Sequence, residues 1–184
     1  MTSAHQGRPL RGALALIAMA LVGLALAATA TVANAQPAKK TTERLVVRGE
    51  DTVKDAPGCP GGVCQMQIAD GAFRGTLGQG AYDGAMNLRV ADAFPNGEGG
   101  LCAPVDGTIT LGAGTPDRLV LALRGASCQD GNGPLTASSF TGVAHWVVQS
   151  GTGAYAKATG HGLYTSVEDA NDHEQMTLIG RITR

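Results

Sequence analysis

Aromatic side chains are scarce in this chain, with one Trp, three Tyr and three Phe among 184 residues. A β-protein with so few must either pack Leu, Val and Ala tightly or leave a cavity. Charge is sparse too, at 16% of residues and a formal net of −1. No run of Lys and Arg appears in the linear sequence, so it carries no electrostatic footprint for nucleic acid. Past residue 36 no segment sustains a helical apolar period over ten residues, which argues against a helical domain. Long disorder is excluded from the other side, because 43% of the residues are apolar. Neither the phosphate loop Gly-x4-Gly-Lys-Ser/Thr nor the nucleophile elbow Gly-x-Ser-x-Gly occurs.

What is present begins with an address. Arg8 and Arg11 precede an uncharged stretch from Ala13 to Val32, and Ala33-Asn34-Ala35 follows it. A basic start, an apolar stretch and an A-x-A site together read as a secretory signal peptide, here a signal helix over residues 1–35 cleaved after Ala35. The apolar run is also long enough to cross a bilayer, so an uncleaved N-terminal anchor is the alternative. No Cys lies near its end and no adjacent Arg pair precedes it, which supports neither a lipid anchor nor the twin-arginine route. Cleavage removes Arg8 and Arg11, so 14 basic residues become 12 against 15 acidic ones, a net of −3. Residues 36–43 read as a flexible leader and residues 44–184 as one domain. High Ala and Gly content suits a GC-rich bacterial genome.

The four cysteines, Cys59, Cys64, Cys102 and Cys128, all follow the cleavage site. An even count in an exported chain reads as disulfides, and three pairings exist. The turn-rich Cys59-Pro-Gly-Gly-Val-Cys64 favours Cys59–Cys64, which leaves Cys102–Cys128. The spacing is too loose for a four-cysteine zinc site.

Period-two alternation then runs through the chain. Tyr82, Gly84, Met86, Leu88 and Val90 share one face of a strand over Ala81–Phe94, with Asp83, Asn87 and Arg89 on the other. Leu119, Leu121 and Leu123 alternate similarly, as do Met176, Leu178, Gly180 and Ile182. Weaker candidates are 44–48, 66–77, 107–112, 139–149 and 160–167, giving eight strands. Turn residues separate them, including Asn96-Gly97 and Asp130-Gly131-Asn132-Gly133-Pro134. The fold class is all-β, either an eight-stranded antiparallel barrel or a β-sandwich. Interior glycines at 71, 75, 84, 142, 160, 162 and 180 favour the barrel, since curved sheets bend at glycine. Between Ile68 and Phe73 the apolar parity switches, which predicts a bulge near Gly71.

Phe140-Thr-Gly142, the run Val147-Val148-Gln-Ser-Gly151-Thr152-Gly153-Ala154-Tyr155-Ala156-Lys157-Ala158-Thr159-Gly160-His161-Gly162, and Leu178-Ile179-Gly180 resemble bacterial exported proteins with an allene oxide cyclase-like barrel. Plant dirigent proteins share that calycin-like architecture. Phe73-Arg-Gly75-Thr-Leu77, Tyr82-Asp83-Gly84 and Cys102-Ala-Pro104-Val105-Asp-Gly107 fit the same pattern, so the resemblance spans about residues 44–183. It implies an eight-stranded antiparallel barrel. Enzymatic members direct cyclisation or coupling with a polar group, water and aromatic walls inside the barrel. The resemblance assigns no catalytic residue to this chain.

Candidate chemistry is thin. Gly151-Thr152-Gly153-Ala154-Tyr155-Ala156 approximates a dinucleotide fingerprint, but Gly160 and Gly162 leave no room for the helix it requires, so it reads as a turn. His145, His161 and His173 fall on the last three strands, yet His173 sits about six residues, ~20 Å, from His161 along the sheet. No metal or other cofactor is expected. Asp70 and Asp92 are the carboxylates whose parity allows a lumen position, though nothing pairs either with a second group. The possible lumen-lining set is Tyr82, Met86 and Leu88 on one strand, Phe140 and Trp146 on another, and Tyr164.

These observations favour a secreted, non-enzymatic barrel stapled by two disulfides and holding a small apolar ligand in its mouth. Two other readings stay open. One is a cyclase- or dirigent-type enzyme acting inside the barrel. The other is an extracellular interaction module or homo-oligomer, suggested by Val120, Val143 and Ile179 on the outward parity. No nucleic-acid partner and no stable membrane insertion after signal cleavage are expected. N-terminal sequencing of the exported protein is expected to begin at Gln36, and a start well upstream would instead identify the anchored form.

Overall fold

A computed structural model describes residues 40–55, 58–131 and 139–184. The expected signal peptide and residues 36–39 of the leader lie outside them. The strands are β1 (Thr42–Asp55), β2 (Val63–Gly75), β3 (Gly78–Arg89), β4 (Phe94–Pro95), β5 (Leu101–Leu111), β6 (Leu119–Gln129), β7 (Phe140–Gly151), β8 (Thr159–Glu168) and β9 (His173–Thr183). Each long strand pairs antiparallel with the next, β3 passing directly to β5. The last strand then returns to the first, with register from Thr42 opposite Thr183 to Thr52 opposite His173. The result is a closed eight-stranded antiparallel barrel with β4 as a short extra strand beside β5. The sandwich alternative fails because that β1–β9 ladder leaves no open sheet.

Three local expectations change. The 44–48 segment lies in the first half of a fourteen-residue strand, whose later part, Glu50-Asp51-Thr52-Val53-Lys54-Asp55, looks like a polar loop. The strand expected over Ala81–Phe94 stops at Arg89. A 3-10 turn at Val90–Asp92 follows, so Asp92 and Phe94 leave the Tyr82 face. Between β7 and β8 the turn is wider than expected, with a 3-10 segment at Gly153–Tyr155, and His161 faces Val147 rather than residue 143. The bulge near Gly71 is present: pairing with β3 shifts between Ile68 and Gly71, and Asp70 takes a left-handed φ of 57°.

Closure divides every strand into an inner and an outer face. At the end formed by the start of β1, Leu45, Leu111, Leu119, Leu121, Leu178 and Ile182 fill the interior completely. Trp146, 1% exposed, crosses this layer. Its indole Nε1 donates to the Leu163 carbonyl at 3.1 Å. The ring lies over Gly162 and Gly180, where a Cβ on Gly162 would come 2.6 Å from the indole. Here glycine serves close approach: the largest side chain of the core occupies the space that two strands vacate.

The opposite end gathers both disulfides. Cys102 and Cys128 are directly opposed on β5 and β6, with Cα atoms 3.9 Å apart. Cys59 and Cys64 clamp the turn that leads into β2. Disulfides suit an oxidising compartment. Among the described residues no helix is long and apolar enough to cross a membrane.

Gly162→Ala is expected to destabilise the barrel by about 1–3 kcal/mol, because overpacking has no room to relax beside the indole and the Ile179 carbonyl. Denaturant titration read by the single Trp checks this. An unchanged midpoint would show that the ring shifts at no cost.

Candidate functional site

Toward the disulfide end the interior changes character. Asp51 and Glu174, 7% and 5% exposed, face each other directly across the β1–β9 pair. Asp51 belongs to the inward phase Leu45, Val47, Gly49, Asp51, Val53, and Glu174 to Glu174, Met176, Leu178, Gly180, Ile182. Two phenols reach them: the Tyr82 hydroxyl donates to Asp51 Oδ2, and the Tyr164 hydroxyl to Glu174 Oε1. Tyr82 spans from β3 to β1 because Gly71 and Gly49 lie beneath it, with a Cβ on either coming within 2.9 Å of its ring or hydroxyl. Asp51 Oδ1 remains buried without a hydrogen-bond partner.

The electrostatics follow from burial. Asp51 is pushed up to about 7, first by desolvation and then by the Glu174 charge, against the lowering effect of the Tyr82 hydrogen bond. Burial also raises Glu174, with the Tyr164 and Ser166 hydrogen bonds opposing. Both tyrosines are raised, chiefly by desolvation, and stay neutral. Two carboxyls sharing a dry compartment cannot both ionise cheaply. Burial and mutual repulsion thus favour the neutral form of each acid.

A small cavity of about 30 Å3, room for roughly one water, touches Glu174 of this pair and is bordered also by Met86, Val105, Tyr164 and Ser166, while Asp51 lies outside its lining. Above it opens a mouth cavity of about 390 Å3 whose apolar walls include Met66, Leu88, Val90, Leu101, Ala103 and Phe140. Cys64 and Cys102 also line the mouth, so each disulfide holds part of its rim. Met66 and Glu168 border both spaces. A largely apolar funnel thus leads down toward Glu174.

The sequence candidates divide around this site. Tyr82, Met86, Trp146 and Tyr164 are buried in the core, and Leu88 and Phe140 are half-buried at the mouth. Trp146 belongs to the filled end and touches neither cavity. Asp70 and Asp92 are both exposed and do not enter the lumen, and Asp70 pairs with Lys54 at 3.6 Å. Asp70 leaves the lumen through the bulge and Asp92 through the early end of β3. The lumen acids are instead Asp51 and Glu174, neither of which was among the sequence candidates. His145, His161 and His173 are all exposed, and among the described residues no group of three His, Cys, Asp or Glu could hold a metal.

Compared with known proteins, the chain matches no family model, no curated protein and no solved structure.

The raised Asp51 gives a pH signature with a definite sign. Its native state holds a proton that the unfolded chain releases near pH 4, so its contribution is full below that value and is lost as pH rises to about 7. Asp51→Asn removes the ionisation. Its stability relative to the parent is expected to improve between pH 4 and 7 and then level, by about 2 kcal/mol, below the ideal linkage value because the barrel can relax. Urea titrations at stepped pH measure this, and a gap that stays constant with pH would refute the raised acid.

Proposed function

We propose that the protein is an exported carrier or sensor barrel that binds one small, largely apolar molecule in the mouth at its disulfide end. The observation that carries this reading is the largely apolar 390 Å3 mouth cavity, which shares Met66 and Glu168 with a smaller inner space bordered by Glu174. A space of that size falls in the usual range for small-molecule sites, where apolar walls give affinity and a few polar groups fix orientation. The opposite end is packed solid, so a ligand would enter by the mouth alone. Export after cleavage at Ala35 is part of the proposal, supported by the leader sequence and by two disulfides in a chain with no free cysteine.

One specific feature favours a second reading, an enzyme of the cyclase or dirigent type. Glu174, which borders the small inner cavity with Asp51 directly across the strand pair, would be the acid that supplies a proton there to an apolar substrate.

N-phenyl-1-naphthylamine, a small neutral probe that brightens in apolar surroundings, tests the leading reading. Saturable one-to-one binding is expected, weakened about tenfold, or ~1.4 kcal/mol, by Leu101→Asp at the rim or by Phe140→Ala in the wall. Absence of saturation, or equal affinity in both variants, would remove the mouth as a binding site.

A further inference from the structure

The linear sequence shows no basic cluster, but cross-strand register builds one on the outside of the barrel. Arg44 on β1 lies directly opposite Arg181 on β9, and Arg48 on β1 directly opposite Arg74 on β2. His161 on β8 continues the first of these rows beyond Arg181. Like charges placed directly across a sheet repel. None of these four arginines takes part in a described ion pair, those being Lys54–Asp70, Arg89–Asp106 and Arg184–Glu43, although Glu50 shares a surface groove with Arg48 and Arg74. On the outward phase of β1 the one carboxylate is Glu50, whose cross-strand neighbours are Ala72 and Gln175.

An aliphatic row runs between the two arginine rows. Leu163, Ile179 and Val46 are consecutive cross-strand partners over β8, β9 and β1. Leu163 is 39% and Ile179 45% exposed, and Val143, Val147 and Val167 extend the apolar surface across β7 and β8. The remaining large exposed apolar residues, Val90, Phe94 and Leu101, sit near the mouth instead. Arginine rows about 13 Å apart, at two residues on either side of the aliphatic row, make a face that is both cationic and greasy. This holds although the chain as a whole is slightly acidic.

We propose that this face, centred on β9, docks on an anionic lipid surface. Charge complementarity selects the partner's sign, and guanidinium groups match phosphate in geometry as well as charge. The aliphatic row selects a bilayer over a hydrophilic polyanion, since only a headgroup and acyl boundary dehydrates Leu163 and Ile179 while phosphates meet the arginines. A second copy of the chain fits poorly: a two-fold contact would press arginine rows together with only Glu50 to offset them. The contact is peripheral, with the barrel lying on its side and its mouth left open.

The test is vesicle flotation of the protein as an expression host exports it. Neutral phosphatidylcholine vesicles are compared with vesicles holding about 30 mol% phosphatidylglycerol, at low and high salt. Partitioning is expected to favour the anionic vesicles at least tenfold and to fall with salt. Arg48→Gln with Arg181→Gln should weaken it about fivefold for each arginine removed. Leu163→Ser with Ile179→Ser should weaken it without changing its salt sensitivity. The salt comparison needs no variant, so a substitution that impairs folding leaves the test intact. Equal partitioning onto both vesicles overturns the proposal. So does binding to an acidic polysaccharide with indifference to vesicles, or sedimentation as a stable dimer that masks the face.

Discussion

The pairing of β1 with β9 is the constraint on which everything else rests. Eight strands in sequence could lie open as a meander, with a wet face and a dry one. Once Thr42–Thr52 meets His173–Thr183, the dry faces of all eight turn toward one axis and any inward side chain must be packed or partnered. The same ladder sets Asp51 against Glu174. A closure that stabilises the tube therefore also forces two carboxyls into a common dry space, and the raising of both acids is a consequence of topology rather than of a local motif.

Large residues are then accommodated by the absence of side chains elsewhere. Trp146 fits because Gly162 and Gly180 yield, and Tyr82 reaches Asp51 because Gly71 and Gly49 do. The scarcity of aromatics and the abundance of glycine describe one arrangement: a narrow lumen holds a few large rings only where neighbouring strands contribute no Cβ. The filled end gives rigidity to the half of the barrel that takes no ligand, while the disulfides hold the half where packing stops.

Much of this was legible from the chain alone. Alternation located all eight principal strands, and the parity switch between Ile68 and Phe73 located the bulge. The turn around Pro60 pointed to the correct cysteine pairs. The acid site was readable in principle, because Asp51 continues the phase of Leu45 and Val47, and Glu174 that of Met176 and Leu178. It was obscured because Glu50, Lys54 and Asp55 give that stretch the composition of a loop, and because partnership across 123 residues of chain is a matter of closure, not spacing. The arginine rows are further from view: residues 44, 48, 74 and 181 become neighbours only through two independent ladders. Composition therefore indicated no basic surface where the folded chain has one.

A tube whose last strand finds its first also has almost no rim of unpaired amides. Among the described residues, every long strand is paired on both sides over most of its length, the two-residue β4 apart. Closure thus withdraws most of the edge that strand-by-strand addition would use as a template.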